Sequence, residues 1–163
     1  INSTANDYIL KQISLDTVIR EVIHKYAKIM IRRKIRMHYE KTEATVISDE
    51  KWLSFVLEQL LSNAVKYTPE GEISIEVQEE PQHIWLEIRD TGIGIRSEDI
   101  PRVFEKGYTG FNGHEDKRST GIGLYLCREV LQKLGHTIQV QSEVGEGTTV
   151  RAGFSKDAID FRD

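Results

Sequence analysis

The sequence predicts an α/β (α+β) two-layer sandwich: a mixed, mostly antiparallel sheet of about five strands with three main helices on one face. Three observations predict it. Stretches near residues 15–30, 50–67 and 123–134 repeat apolar residues at helical spacing. Runs near 35–39, 73–77, 83–89, 137–142 and 148–154 instead alternate with the period of a half-buried strand. The length of 163 residues and the 39% hydrophobic content suffice for one domain with its own core, because a chain of this size buries about 70% of the surface it exposes when unfolded.

Composition narrows the function. A net charge of −4 and a pI near 5.8 give no dominant surface for nucleic acid, so no nucleic-acid partner is expected. No apolar run approaches the roughly 20 residues of a membrane span, and no signal peptide opens the chain. The start at Ile1, followed by the polar Asn2-Ser3-Thr4-Ala5-Asn6, reads as an excised fragment. The single cysteine, Cys127, permits no internal disulfide and falls inside a helical pattern, where packing is the expected role.

Taken in order, Leu15, Val18, Ile19, Val22, Ile23 and Tyr26 form the apolar stripe of a first helix, with Ser14 as N-cap and Asp16 in the first turn. The basic cluster Arg32-Arg33-Lys34 follows where positive charge favours a helix C-terminus, and reads as a solvated helix end. Ile35, Met37 and Tyr39 alternate as a strand, and Thr45 to Ser48 make a short second one. The next helix runs from about Glu50 to Tyr67, introduced by Ser48 or Asp49, with Leu53, Val56, Leu57, Leu60, Leu61 and Ala64 inward. On another of its faces Gln59, Asn63 and Lys66 align at i, i+4 and i+7. Two amides and an ammonium so placed suit a metal–phosphate group; an ordinary solvated face is the alternative.

Thr68-Pro69-Glu70-Gly71 stops that helix. Strands over Ile73–Val77 and 83–89 then pair as a hairpin around Pro81-Gln82, and Ser97-Glu98-Asp99 opens a short helix that includes Ile100, Val103 and Phe104. From Glu105 to Thr120 the pattern dissolves into glycines and charges, as in long functional loops. Gly121-Ile122-Gly123 opens a third helix carrying Leu124, Cys127, Val130, Leu131 and Leu134, with Gly135 at C′. Two strands around Val144-Gly145-Glu146-Gly147 close the fold.

The alternating run before Asp90 delivers a carboxylate to the end of a core strand, into Asp90-Thr91-Gly92-Ile93-Gly94-Ile95. A carboxylate there can accept from an exocyclic amine while the glycines let a planar ring approach the main chain. The stretch reads as the seat of the adenine of ATP; taken alone, a strand followed by a tight turn is the plainer alternative. Glycines at a helix start suit phosphates, and Gly121 and Gly123 qualify, with Lys117 and Arg118 just upstream as charge partners. There is no G-x-x-x-x-G-K-[ST], and Gly121-x-Gly123 follows a loop without a third glycine at Leu126. A phosphate cradle here belongs to another architecture.

Read together, these stretches resemble the catalytic, ATP-binding domain of bacterial sensor histidine kinases, in the group that includes gyrase, Hsp90 and MutL ATPases. Leu60-Leu61-Ser62-Asn63-Ala64-Val65-Lys66-Tyr67-Thr68 matches the asparagine box, Asp90 to Gly94 the first glycine box and Phe104 the phenylalanine box. Ser119-Thr120-Gly121-Ile122-Gly123-Leu124 matches the second glycine box, and Gly145-Glu146-Gly147-Thr148-Thr149 the final glycine-threonine turn. The run Glu105-Lys106-Gly107-Tyr108-Thr109-Gly110 and the stretch Thr120 to Leu126 are most similar to Gram-positive kinases with short membrane sensors, often paired with antibiotic-peptide transporters.

The resemblance implies a Bergerat-type ATP-binding fold and, as cofactors, ATP and Mg²⁺. It implies that Asn63 holds Mg²⁺ bridging the phosphates, that Lys66 reaches phosphate oxygens and that Tyr67 packs beside adenine. Asp90 would take the adenine amine, with Gly92, Gly94 and Ile95 around the base and Thr148 supporting a water. Residues 96–120 would be the ATP lid, anchored by Phe104; Thr120, Gly121, Gly123 and Leu124 would meet the triphosphate, with Arg118 or Lys117 at the γ-phosphate. Residues 1–13 would be a linker from a missing helical dimerisation and phosphoacceptor domain, 14–154 the ATP-binding domain and 155–163 a tail. That helical domain, a cognate response regulator and, through the full-length protein, a membrane transporter are the implied partners. The chain would be the cytoplasmic domain of a cell-membrane protein.

Two features depart from the family pattern. Gln59 stands where a second asparagine is common, which keeps the amide but lengthens it. None of His24, His38, His83, His114 or His136 has the His-Glu/Asp context of a phosphoacceptor, so the accepting histidine is expected elsewhere. His114 beside Glu115-Asp116 reads as a solvated loop rather than a metal cluster. Other functions on the same fold are an ATPase, which would place a glutamate base near Gln59, a serine kinase, or a non-catalytic interaction domain.

Overall fold

In the computed structural model, residues 8–107 and 123–157 are described. In chain order they form β1 (Leu10–Ser14), α1 (Leu15–Arg32), β2 (Ile35–Tyr39), β3 (Thr45–Asp49), α2 (Glu50–Lys66), β4 (Gly71–Glu79) and β5 (His83–Asp90). A 3₁₀ turn (Ile100–Arg102), α3 (Gly123–Lys133), β6 (Thr137–Glu143) and β7 (Gly147–Ser155) complete them. The main sheet has the order β2-β4-β5-β7-β6. Only β2 and β4 run parallel; the other neighbours are antiparallel. Three helices and a mixed five-stranded sheet make the expected sandwich.

The caps are those the sequence offers. Ser14 Oγ accepts the Thr17 N–H and Asp49 Oδ1 accepts the Trp52 N–H, so each helix begins where a short polar side chain can satisfy a first-turn amide. Gly135 takes a φ of 83° after α3, the left-handed conformation that ends a helix without a Cβ clash. Inward residues of the sheet, among them Ile73, Leu86, Ile88, Ala152 and Phe154, pack against Leu15, Ile19, Leu53, Leu60, Leu61 and Leu131 of the helices. Cys127 is wholly buried in this layer, and burial pushes its thiol up to about 12. The thiol packs; it is not activated.

Two local features differ from the sequence expectation. Residues 10–13, expected as linker, belong to β1, which pairs antiparallel with β3 and buries Ile13. The short strand expected over Thr45–Ser48 is present as β3, in that separate two-stranded ribbon. The expected short helix at Ile100 is a single 3₁₀ turn, since Pro101 supplies no N–H and the chain closes with i+3 bonds such as Val103 N–H to Ile100 O. No helix among the described residues is long and apolar enough to cross a membrane.

Candidate functional site

β5 is hydrogen-bonded on both sides, so register alone fixes its last residue: Asp90 lies opposite Ile73 of β4 and Thr148 of β7. Asp90 is only 6% exposed. Its Oδ1 accepts the N–H groups of Gly92 at 2.9 Å and Thr148 at 3.2 Å, while Oδ2 receives neither. Burial raises the carboxyl above its ordinary value, against the lowering pull of those two amides and of the Thr68 hydroxyl. Thr68 is fully buried beside it, its Oγ1 close enough to act on the carboxyl though outside strict hydrogen-bond geometry. A buried hydroxyl and a carboxylate side by side can offer a donor and an acceptor to a small planar ligand.

The turn after Asp90 is tied to the end of α2 and to the β6–β7 turn. Tyr67 O accepts the Ile93 N–H at 3.0 Å, and Ile93 O accepts the Gly145 N–H at 2.9 Å. A Cβ at Gly92 would come within 2.0 Å of the Tyr67 carbonyl oxygen, so only glycine permits that crossing. Gly94, at a φ of 78°, would bring a Cβ to 2.2 Å from Glu143 O. Ser142 Oγ accepts the half-buried Ile95 N–H at 2.8 Å, sits 2.9 Å from Gly147 O and lies 2.7 Å from Thr148 Oγ1. Sequence reasoning missed Ser142 and Thr68, one reading as an ordinary strand serine and the other as part of a helix stop. Thr68 could have been found from its place inside the asparagine-box match.

On α2, Gln59, Asn63 and Lys66 share one half-buried face, as their spacing requires. The Lys66 ammonium lies 5.2 Å from the centroid of the Tyr67 ring, which follows at the C-cap. A Cβ at Gly123 would meet Gln59 Oε1 at 2.6 Å, so the start of α3 abuts this face of α2. The neighbouring acid, Glu58, is engaged by Lys25 Nζ at 2.7 Å.

Phe104 is half-buried beneath the Arg128 guanidinium, 5.1 Å from its ring centroid, and Arg128 Nε is buried without a partner. Upstream, the buried Asp99 pairs with Arg96 at 3.1 Å. Leu124 packs partly buried against the core. Structure thus brings Tyr67, Asp90, Gly92, Gly94, Ile95 and Thr148 to one end of the sheet, with Asn63 and Lys66 on the helix that ends there. Lys117, Arg118, Thr120 and Gly121 lie outside the described residues, as does His114.

The fit of a purine triphosphate can be tested on these atoms. Asp90 Oδ2 and Thr68 Oγ1 supply the buried acceptor and donor that a purine edge needs, and the amide of Asn63 is oxygen chemistry suited to a hard cation. Among the described residues no group of three or more His, Cys, Asp or Glu side chains is placed to hold a metal. Magnesium commonly combines one or two protein ligands with phosphate oxygens and water, which asks for no such group. The residues present fit.

Comparison with known proteins bears on the family and the fold. The YxdK sensor histidine kinase of Bacillus subtilis (strain 168) is 38% identical over 154 residues, covering 91% of this chain and 46% of its own length. The chain thus spans about half the length of that curated relative. Among solved structures, a mycobacterial sensor histidine kinase, MprB, superposes with a TM-score of 0.77 at 24% identity, over 89% of this chain and 97% of that one. The histidine kinase ThkA, in a crystal structure with the response regulator TrrA, gives a TM-score of 0.76 at 21% identity, over 92% of this chain and 42% of that one. Residues 48–158 match the family model described as histidine kinase-, DNA gyrase B- and HSP90-like ATPase, well over half of the sequence. The chain belongs to that ATPase family.

Proposed function

We propose that this chain is the ATP-binding catalytic domain of a sensor histidine kinase. It presents Mg-ATP to a histidine on a separate helical domain, and the phosphoryl group passes on to an aspartate of a response regulator. The observation that carries the reading is Asp90: a buried carboxylate at a strand end, with one oxygen held by two backbone amides and the other receiving neither.

In this reading Asp90 accepts the adenine amine, and Ser142 with Thr148 holds a water beside the base. Tyr67 packs against the ring, while Gly92, Gly94 and Ile95 let it lie close to the main chain. Asn63 ligates Mg²⁺ and Lys66 contacts phosphate oxygens. Gly121, Gly123, Thr120 and Leu124 line the triphosphate, Phe104 anchors the lid of residues 96–120, and Arg118 or Lys117 meets the γ-phosphate. A metal held by Asn63 would supply positive charge against the phosphates. The histidine nitrogen forms its bond to the γ-phosphorus as the bond to the β-phosphate oxygen breaks and ADP departs. Such a transfer needs positioning and charge stabilisation more than a nucleophile from this domain.

Residues 1–13 then lead from the helical domain, 14–154 bind the nucleotide and 155–163 form a tail, although the folded unit also recruits β1. In this reading the chain is the cytoplasmic domain of a cell-membrane protein that works with its helical domain, a response regulator and a transporter; the likeness to a sensor histidine kinase and to a kinase solved with its response regulator supports the regulator. A clamp-type ATPase would want a free glutamate near Gln59; Glu58 is engaged by Lys25 instead. The test supplies labelled ATP to this chain together with the helical domain. Acid-labile label on that domain's histidine, abolished by Asn63→Ala, is expected. Label on serine, or fast ATP turnover by the chain alone, would overturn the reading.

A further inference from the structure

The basic end of α1 is not used by the site described above. From residue 22 to residue 39 the sequence carries six Lys or Arg and no Asp or Glu, whereas the other 145 residues carry 16 basic against 26 acidic side chains. Within this stretch no acidic residue offsets the six basic ones. His24, Lys28, Ile31 and Arg32 follow one another at i, i+4, i+7 and i+8, the spacing of one helix face, and all are exposed. Lys34 continues that surface past the helix end at a φ of 61°, in the left-handed region a non-glycine residue seldom enters.

Some of this charge is already committed. Lys25 pairs with Glu58, Arg36 with Glu72, and Arg33 Nη1 donates to Val65 O at 2.8 Å. Lys28, Arg32 and Lys34 make no ion pair among the described residues, and all three are solvent-exposed. One of the few large exposed aliphatic side chains stands on the same face, Ile31 at 76% exposure. A helix end that needed only solvation would have no use for a bare isoleucine there. Uncommitted cations beside an exposed aliphatic side chain match a surface that offers anions above and hydrocarbon just below.

We propose that this face docks on an anionic lipid bilayer, with Lys28, Arg32 and Lys34 among the headgroup phosphates and Ile31 at the acyl boundary. The Arg33–Val65 hydrogen bond ties the docked turn to the C-terminal end of α2, so the nucleotide cleft would sit beside the bilayer. An acidic protein patch would satisfy the charges too, but the bare Ile31 within the cationic face favours the lipid.

The experiment is cosedimentation of the 163-residue chain with vesicles of phosphatidylcholine alone and of phosphatidylcholine with phosphatidylglycerol. Retention is expected only on the anionic vesicles and should fall as salt rises. Each basic side chain near an anionic surface contributes about fivefold to partitioning, so Lys28→Glu/Arg32→Glu/Lys34→Glu should lower retention by more than about a hundredfold. Ile31→Ser, which leaves every charge in place, should lower it several-fold. Nucleotide binding should be unchanged in both variants, which shows that they fold and separates this test from that of the kinase reading. Equal retention on neutral vesicles, or none on either, overturns the proposal. So does capture of the chain by polyglutamate but not by vesicles, when the same charge reversals abolish it, because the patch would then be a protein dock.

Discussion

At one end of the cleft Asp90 is almost wholly buried and held by two backbone amides; at the other, Asn63 and Lys66 stand half-buried on the face of α2. The first end is built from strand register. Moving Asp90 means sliding β5 against both β4 and β7. The second end is built from side chains, whose rotamers can adjust. On the proposed reading, a domain that holds one base firmly and hands on a phosphoryl group would place selectivity at the rigid end and chemistry at the adaptable one.

Variants can break this division. Asp90→Ala should weaken ATP and adenosine alike by more than about a hundredfold, since it removes the acceptor and strands two buried amides, a cost of about 3 kcal/mol. Calorimetric titration with both ligands checks it, and an unchanged adenosine affinity would move the base elsewhere. Gly92→Ala should lower stability by about 2–3 kcal/mol in urea, because the new methyl meets the Tyr67 carbonyl rather than a movable side chain.

Asn63→Ala should leave adenosine affinity alone and cost about tenfold for ATP, and only with magnesium present. Loss of adenosine binding in that variant would erase the contrast between the two ends.

A gentler effect comes from pH. Burial raises the Asp90 carboxyl, so adenosine affinity should fall as pH drops through that raised value and the acceptor becomes protonated. The same shift works oppositely on stability. A folded-state pKa above the unfolded one means that the folded chain holds the proton longer, so this contribution is greatest below the unfolded value near 3.9 and is lost as pH rises through the raised one. Asp90→Asn should flatten both dependences in binding and urea titrations.

What could be read from the chain beforehand divides along physical lines. Helices α1 and α2 were legible because their signals are local: an apolar stripe within four residues of itself, and the caps Ser14 and Asp49 at its start. Asp90 was legible because an alternating strand and two glycines are contiguous with it. β1 was not. Its partner lies more than 30 residues away with α1 between, and nothing in Leu10-Lys11-Gln12-Ile13-Ser14 names Thr45–Asp49 as the other strand. Ser142 escaped for the same reason: a hydroxyl that reaches Ile95 and Thr148 is defined by the meeting of two distant turns. Long-range pairing and side-chain convergence are properties of the assembled sheet.

Cys127 has a practical consequence. Its thiol is sealed against Val56 at the interface of α2 and α3, with burial suppressing the thiolate. A thiol-reactive dye can modify it only when those two helices part, so the labelling rate becomes a clock for that opening. Run with and without nucleotide, the same clock would report how firmly an occupied cleft clasps the two helices together.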